Sequence, residues 1–68
     1  MPKAARILAA LQRDGWVEVR RRGSHRLLAK GNRRAVWAWH DGSDLGNSEL
    51  RIIARQFGYT LDELRQLM

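Results

Sequence analysis

Residues 20–25 read Arg-Arg-Arg-Gly-Ser-His, and their residue types are suited to chemistry on a phosphate ester. Consecutive arginines can hold phosphate through planar, permanently charged guanidinium groups. His25, one of two histidines in the chain, is of the residue type that exchanges a proton near neutral pH. Cleavage of an RNA backbone would require a phosphate grip of this kind beside a proton-transfer group. The alternative interpretation is a solvated turn between two strands, whose arginines only keep the domain soluble.

The charge of the chain favours a polyanionic partner. The sequence has 13 Lys and Arg against 7 Asp and Glu, for a formal net charge of +6. Many of the cations lie around residues 20–25, whereas several acids lie in the second half, and this asymmetry indicates a basic face. Arginine also outnumbers lysine, and its guanidinium group binds phosphate in a bidentate manner. The alternative is ordinary solubility charge.

Size and composition predict a single domain over residues 1–68. A chain of 68 residues with 44% hydrophobic residues and three tryptophans can bury a small core. It has no cysteine, so disulfides and thiolate metal ligands are excluded. No apolar run reaches the roughly 18–20 residues of a membrane span, and the first residues lack a signal-peptide core. We therefore expect a cytoplasmic protein that does not enter a membrane.

Hydrophobic periodicity predicts a helix, three strands, a helix and a short last helix. The predicted first-half elements are a helix over 3–14 with an apolar stripe of Ala4, Ile7, Leu8 and Leu11, strands over 16–20, 25–30 and 34–39, a turn over 21–24 and a hairpin at Gly31-Asn32. In the first strand, Val17 and Val19 share one face. In the third, Trp37 and Trp39 share one face as core residues, with nucleobase stacking as the alternative for Trp39.

The second half of the sequence predicts the remaining two helices. After a polar loop, Asn47 or Ser48 caps a helix that Gly58 ends, and a capping box at Thr60 opens the last one. The second stripe consists of Leu50, Ile53, Ala54 and Phe57. Both apolar stripes must bury themselves on one face of the sheet. The fold class is therefore α+β, with the α-β-β-β-α order of double-stranded-RNA-binding domains and a three-stranded antiparallel sheet whose helices pack on one face.

Several short motifs follow one another along the chain. They are Gly15-Trp16-Val17, Val19-Arg20, Gly23-Ser24-His25, His40, Asp44-Leu45-Gly46, Leu50-Arg51-Ile52-Ile53 and Gly58. Their order and spacing resemble those of the HicA toxin family, and the resemblance extends from the first helix to Leu64. The sequence departs from the family pattern at Arg26, where a second histidine is common, at Ala38, where proline is usual, and at Ser48-Glu49, where glycine-threonine is usual.

The resemblance implies a toxin that cleaves mRNA and is neutralised by a HicB-type antitoxin. It also implies that His25 is the catalytic residue. We expect no metal or other cofactor, because the sequence has no paired carboxylates and no clustered metal ligands. The expected RNA-binding residues are Arg20, Arg21, Arg22, Gly23, Ser24, Arg26, Lys30, Arg33 and Arg34.

The residues leave several alternatives open. A second acid or base could be His40, Lys30 or an arginine, and His40 could equally form a hydrogen bond that caps its loop. Two other functions are compatible with the sequence. One is a noncatalytic module that reads the shape of double-stranded RNA through its phosphates and 2′-hydroxyls. The other is a protein-interaction domain whose basic face serves only an acidic antitoxin. The sequence does not determine the oligomeric state.

Overall fold

The computed structural model describes residues 1–68 and contains three helices and one three-stranded sheet. In chain order the elements are α1 (Ala4–Arg13), β1 (Val17–Arg22), β2 (His25–Lys30), β3 (Arg33–Trp37), α2 (Asn47–Phe57) and α3 (Leu61–Leu67). The strands form an antiparallel meander in the order β1-β2-β3. The predicted α+β architecture, with helices packed on one face of the sheet, is confirmed.

The sheet has one face toward the helices and one open face. Arg26 pairs with Trp37 and Leu28 pairs with Ala35 across β2 and β3, and the last three of these residues are buried in the core. Because successive side chains of a strand alternate between faces, the intervening residues of these strands lie on the open face. In the core, the ring of Phe57 meets Trp16 and Trp37 edge-on, at centroid distances of 4.7 and 6.2 Å.

The first hairpin is tighter than predicted. The prediction of a turn over residues 21–24 is wrong, because β1 continues to Arg22, which pairs with His25. Only Gly23 and Ser24 form the turn, and Gly23 has a φ of 59°. A type II′ hairpin turn requires a positive φ at the first of its two residues. Glycine adopts a positive φ without a steric penalty.

The third strand is shorter than predicted and ends at Trp37 instead of Trp39. Its partner strand explains the difference. Trp37 pairs with Arg26, and β2 begins one residue earlier at His25, so Trp39 would face the turn and find no strand to pair with. Trp39 packs, half-buried, against the core.

The caps of α2 and α3 differ in how well they were predicted. Gly46, not Asn47 or Ser48, is the N-cap of α2, and its amide N–H donates to the Glu49 carboxylate at 2.6 Å. Gly58 ends the helix with a φ of 82°, as predicted. The Thr60 capping box is also confirmed, since its hydroxyl accepts from the amide of Glu63 at 3.1 Å. None of the three helices is long and apolar enough to cross a membrane.

Candidate functional site

His25 is the first residue of β2, directly after the two-residue turn. Its side chain is exposed on the open face of the sheet. The pairing of Arg22 with His25 holds an arginine beside it on the neighbouring strand. The hairpin, rather than a flexible loop, therefore positions both the histidine and the arginine paired with it.

A β-bulge at Val19 decides which arginines share the face of His25. Glu18 pairs with Leu28 and Arg20 pairs with Leu27, so Val19 is an extra residue without a partner of its own. Strict alternation from Val17 would have placed Arg21 on the face of Val17. The bulge shifts the phase by one residue, so that Arg20 and Arg22 lie on the open face with Val17. Both Val17 and Val19 are exposed, at 60% and 54%.

A concavity of about 190 Å³ lies on this open face. It is lined by Arg20, Arg22, His25, Leu27 and Val36. Two arginines and one histidine therefore line the same space as two apolar side chains. Arginine presents several N–H donors in a fixed plane, so the concavity suits a phosphate group placed next to a group that can exchange a proton.

A second concavity, of about 360 Å³, adjoins the first at His25. It is lined by His25, Val36, Ala38, Trp39, Ile52 and Gln56. The last two residues are one helical turn apart and therefore project from the same side of α2. His25 and Val36 line both concavities, so a cationic space and a mainly apolar one meet at these two residues.

Arg21 and Arg26 lie on the face opposite to His25. They pair with each other across β1 and β2, and Arg26 pairs in turn with the buried Trp37. Arg26 is half-buried, and its Nε atom lies 3.6 Å from Glu18 Oε1. The structure therefore does not bring these two arginines together with His25, although all of them are close in sequence.

Lys30 is held in a hydrogen-bonded chain at the far end of β2. Its Nζ atom donates to Asp14 Oδ2 at 2.8 Å, the Tyr59 hydroxyl donates to the same oxygen, and Trp16 Nε1 donates to the Tyr59 oxygen at 3.0 Å. The hydrogen bond from Lys30, followed by that from Tyr59, lowers the pKa of Asp14. The same bond to Asp14 raises the pKa of Lys30. Lys30 is therefore engaged away from His25.

The two arginines of β3 are also separated. Arg33 pairs with Lys30, and its guanidinium lies so close to Gly58 that a Cβ atom there would come within 2.8 Å of Cζ. Arg34 pairs with Ala29 on the open face, and its Nη1 donates to the carbonyl of Gly31 at 3.2 Å. Of the two, only Arg34 shares the face of His25.

Three further predicted residues have simple positions. Gly23 and Ser24 form the exposed turn immediately before His25. His40 lies in the loop after β3, where its carbonyl accepts from the Ser43 amide at 3.0 Å. His40 lines neither of the two concavities that His25 lines.

Sequence reasoning missed the contribution of α2 to this surface. Ile52 is 48% exposed and lies outside the apolar stripe that buries the helix. The sequence did contain one indication of this surface: Ile52 is a large apolar residue outside the buried stripe of α2, so the core does not account for it. Gln56, one turn further along, carried no signal in the sequence.

The fold and this surface define a class: a small α+β domain with the double-stranded-RNA-binding architecture and a cationic sheet face that carries an exposed histidine. A family model described as HicA toxin of bacterial toxin-antitoxin matches residues 4–59. The chain belongs to the HicA toxin family. It is thus a toxin from a family whose members are known in general as RNases, and it has an antitoxin as its counterpart. No curated protein matches the sequence.

Proposed function

We propose that this toxin is a metal-independent endoribonuclease that cleaves mRNA with His25 as its catalytic base. The observation that supports it is the convergence of His25 with Arg20 and Arg22 in one concavity. Arg34, on the same face, extends the cationic surface along the sheet. The cations on the opposite face are not part of the proposed RNA contact.

In the proposed reaction, the His25 imidazole takes the proton of a ribose 2′-hydroxyl. The 2′-oxygen then attacks the adjacent phosphorus, and the bond from phosphorus to the 5′-oxygen breaks. The products carry a 2′,3′-cyclic phosphate and a 5′-hydroxyl. Arg20 and Arg22 stabilise the negative charge that develops on the phosphorane, because the paired strands hold both residues on the face of His25 and each guanidinium is a planar, permanently charged donor. A positioned base contributes on the order of 10²–10⁴ in rate.

The leaving 5′-oxygen needs a proton, and the structure excludes two of the side chains that could donate it. Lys30 is bonded to Asp14, and His40 lies outside both concavities. The arginines remain, but a guanidinium keeps its proton in proteins. We therefore assign charge stabilisation to the arginines and protonation of the leaving 5′-oxygen to a water molecule. The proton taken up by His25 then passes to solvent, because this side chain is exposed.

The decisive experiment compares three purified proteins on the same RNA: wild type, His25→Ala and His40→Ala. His40 provides a matched control, because it is also an exposed histidine. We expect wild type and His40→Ala to cleave with cyclic phosphate ends, with and without a chelator, and His25→Ala to bind RNA without cleaving it. Equal cleavage by His25→Ala would remove His25 from the mechanism. Tight binding without cleavage by all three would favour a noncatalytic RNA-binding module.

We also propose that a HicB-type antitoxin covers the open face. This face combines the cations of the first concavity with exposed Val17 and Val36, so a complementary partner presents acidic groups and apolar anchors. In the complex, chemical modification of His25 by diethylpyrocarbonate should slow strongly, while modification of His40 should not. Equal modification of His25 in the free and bound toxin would exclude direct occlusion.

A further inference from the structure

We infer that the concavity formed by Trp39, Ile52 and Gln56 binds the base of the nucleotide whose 2′-hydroxyl is attacked. This inference rests on the proposed ribonuclease function and adds the part of the substrate that the histidine and arginines do not explain. The surface in question is the second concavity, which α2 and the end of β3 enclose beside His25.

The first argument is the connectivity of a nucleotide. The ribose 2′-hydroxyl lies between the base of its own nucleotide and the phosphate that follows it. A histidine that takes the proton of this hydroxyl must therefore have a phosphate site on one side and a base site on the other. His25 is shared by an arginine-lined concavity and by a mainly apolar one. The two concavities that meet at the histidine thus correspond to the phosphate and the base that flank the reacting hydroxyl.

The second argument is the size and lining of the space. At about 360 Å³ it falls within the roughly 300–1,000 Å³ of pockets that hold small molecules, and such pockets are mostly apolar with a few polar groups. Trp39 provides a flat aromatic wall that the core holds in place. Aromatic walls accept nucleobases because every base has a π-face.

The third argument is the single side-chain amide in this mainly apolar lining. Besides His25, two residues of this concavity carry polar side-chain atoms: the indole of Trp39 can only donate a hydrogen bond, whereas the amide of Gln56 also has an acceptor. This amide can both donate and accept, so it can pair with the edge of a base and distinguish one base from another. Gln56 is thus proposed as the residue that determines preference for the nucleotide on the 5′ side of the cleaved bond.

Binding can be tested without any cleavage by titrating nucleoside 3′-monophosphates into the wild-type protein. These probes carry the base, the 2′-hydroxyl and the 3′-phosphate, and contain no bond to cleave. We expect the NMR signals of the Trp39 indole N–H and the Gln56 amide to shift with the nucleotides but not with inorganic phosphate. Gln56→Leu should weaken nucleotide binding by roughly 3–10-fold, the value of one net hydrogen bond. Gln66→Leu, the same change at an exposed position of α3, should leave it unchanged.

Cleavage provides the second measurement. The substrates are 2′-O-methyl RNAs with a single ribonucleotide, so that only one bond can break, and the base of that ribonucleotide is A, G, C, U or absent. Wild type should cleave the substrate without a base most slowly, and Gln56→Leu should reduce the differences among the four bases. Unaltered differences, or nucleotides that bind no better than phosphate, would overturn the inference.

The two measurements separate this inference from the proposed function. Nucleotide binding that depends on Gln56, without cleavage of any substrate, would support the base site and refute the nuclease. Cleavage at the same rate whichever base is present, and also when none is, would support the nuclease and refute the base site. If Gln56→Leu weakened only the complex with the antitoxin and not nucleotide binding, the concavity would be a protein-docking groove and the inference would be wrong.

Discussion

The three successive arginines of β1 allow a sharp test of the surface that binds RNA. Arg20, Arg21 and Arg22 are adjacent and exposed, but only Arg20 and Arg22 share the concavity of His25. Each can be replaced by glutamine, which removes the same charge at nearly the same place. If RNA affinity falls when Arg20 or Arg22 is replaced but not when Arg21 is, the geometry of the hairpin is the cause, because all three variants lose the same charge.

The expected magnitude follows from the number of cations on the open face. A phosphate contact on a single strand contributes about −0.7 to the slope of log affinity against log salt. Contacts by Arg20, Arg22 and Arg34 give a slope of about −2.1, or roughly an 18-fold loss of affinity between 50 and 200 mM salt. Replacing either Arg20 or Arg22 should reduce this loss to about 7-fold, whereas Arg21→Gln should leave it near 18-fold.

The assay is a salt series of fluorescence-anisotropy titrations with one RNA of mixed sequence. All variants carry His25→Ala as well, so that the RNA stays intact during the measurement. The parent His25→Ala protein gives the reference slope. Equal slopes for the Arg20, Arg21 and Arg22 variants would refute the reasoning, because binding would then respond to total charge and not to the face of the sheet.

Three further predictions concern the stability of the fold. Tyr59→Phe leaves the N–H of Trp16, which is 2% exposed, without its acceptor, and should lower the free energy of unfolding by about 1–3 kcal/mol in urea titrations; no change would mean that this bond is dispensable. Thr60→Ala removes the acceptor for the third amide of α3 and should cost about 1 kcal/mol, with Thr60→Ser as the control that retains the cap. The hydrogen bonds from Lys30 and then Tyr59 lower the pKa of Asp14 in the folded protein. The ionised Asp14 therefore stabilises the fold fully above its unfolded pKa of about 3.9, and this stabilisation is lost as pH falls through the folded pKa. Asp14→Asn should therefore flatten the acid side of the stability profile below about pH 4, and an unchanged profile would contradict the role assigned to the pair.

The helices, the strands and their order could be predicted from the sequence, because the local sequence signals agree with the pattern of burial. The stripe of α1, the turn glycines and the capping box at Thr60 each specify a structure within a few residues. The end of α2 at Gly58 was predictable for the same reason, since an αL residue needs no distant partner. The N-cap of α2 was not, because Glu49 reaches back to the amide of Gly46 and displaces the two residues with better capping statistics.

The composition of the candidate site could be predicted only in part. His25 and the arginine run were visible as residue types, but the face that each arginine occupies depends on a bulge that no local signal announces. Strand alternation already places Lys30 on the face opposite to His25, but its hydrogen-bonded partners Asp14 and Tyr59 belong to other parts of the chain and could not be predicted. The second concavity depends on the packing of α2 beside β3, a tertiary relation that strand and helix periodicity do not contain.

The bulge at Val19 also has a consequence for changes in chain length. Trp16, buried in the core, fixes the start of β1, and the turn fixes its end, so the extra residue takes up the difference between the two. Deleting Val19 would leave a regular ladder with Arg20 still opposite Leu27. Deleting any one of the three arginines would give an equally regular ladder, but with Val19 opposite Leu27 and one cation fewer beside His25. Two deletions of equal length and equal backbone geometry would thus differ in the charge they leave around the histidine.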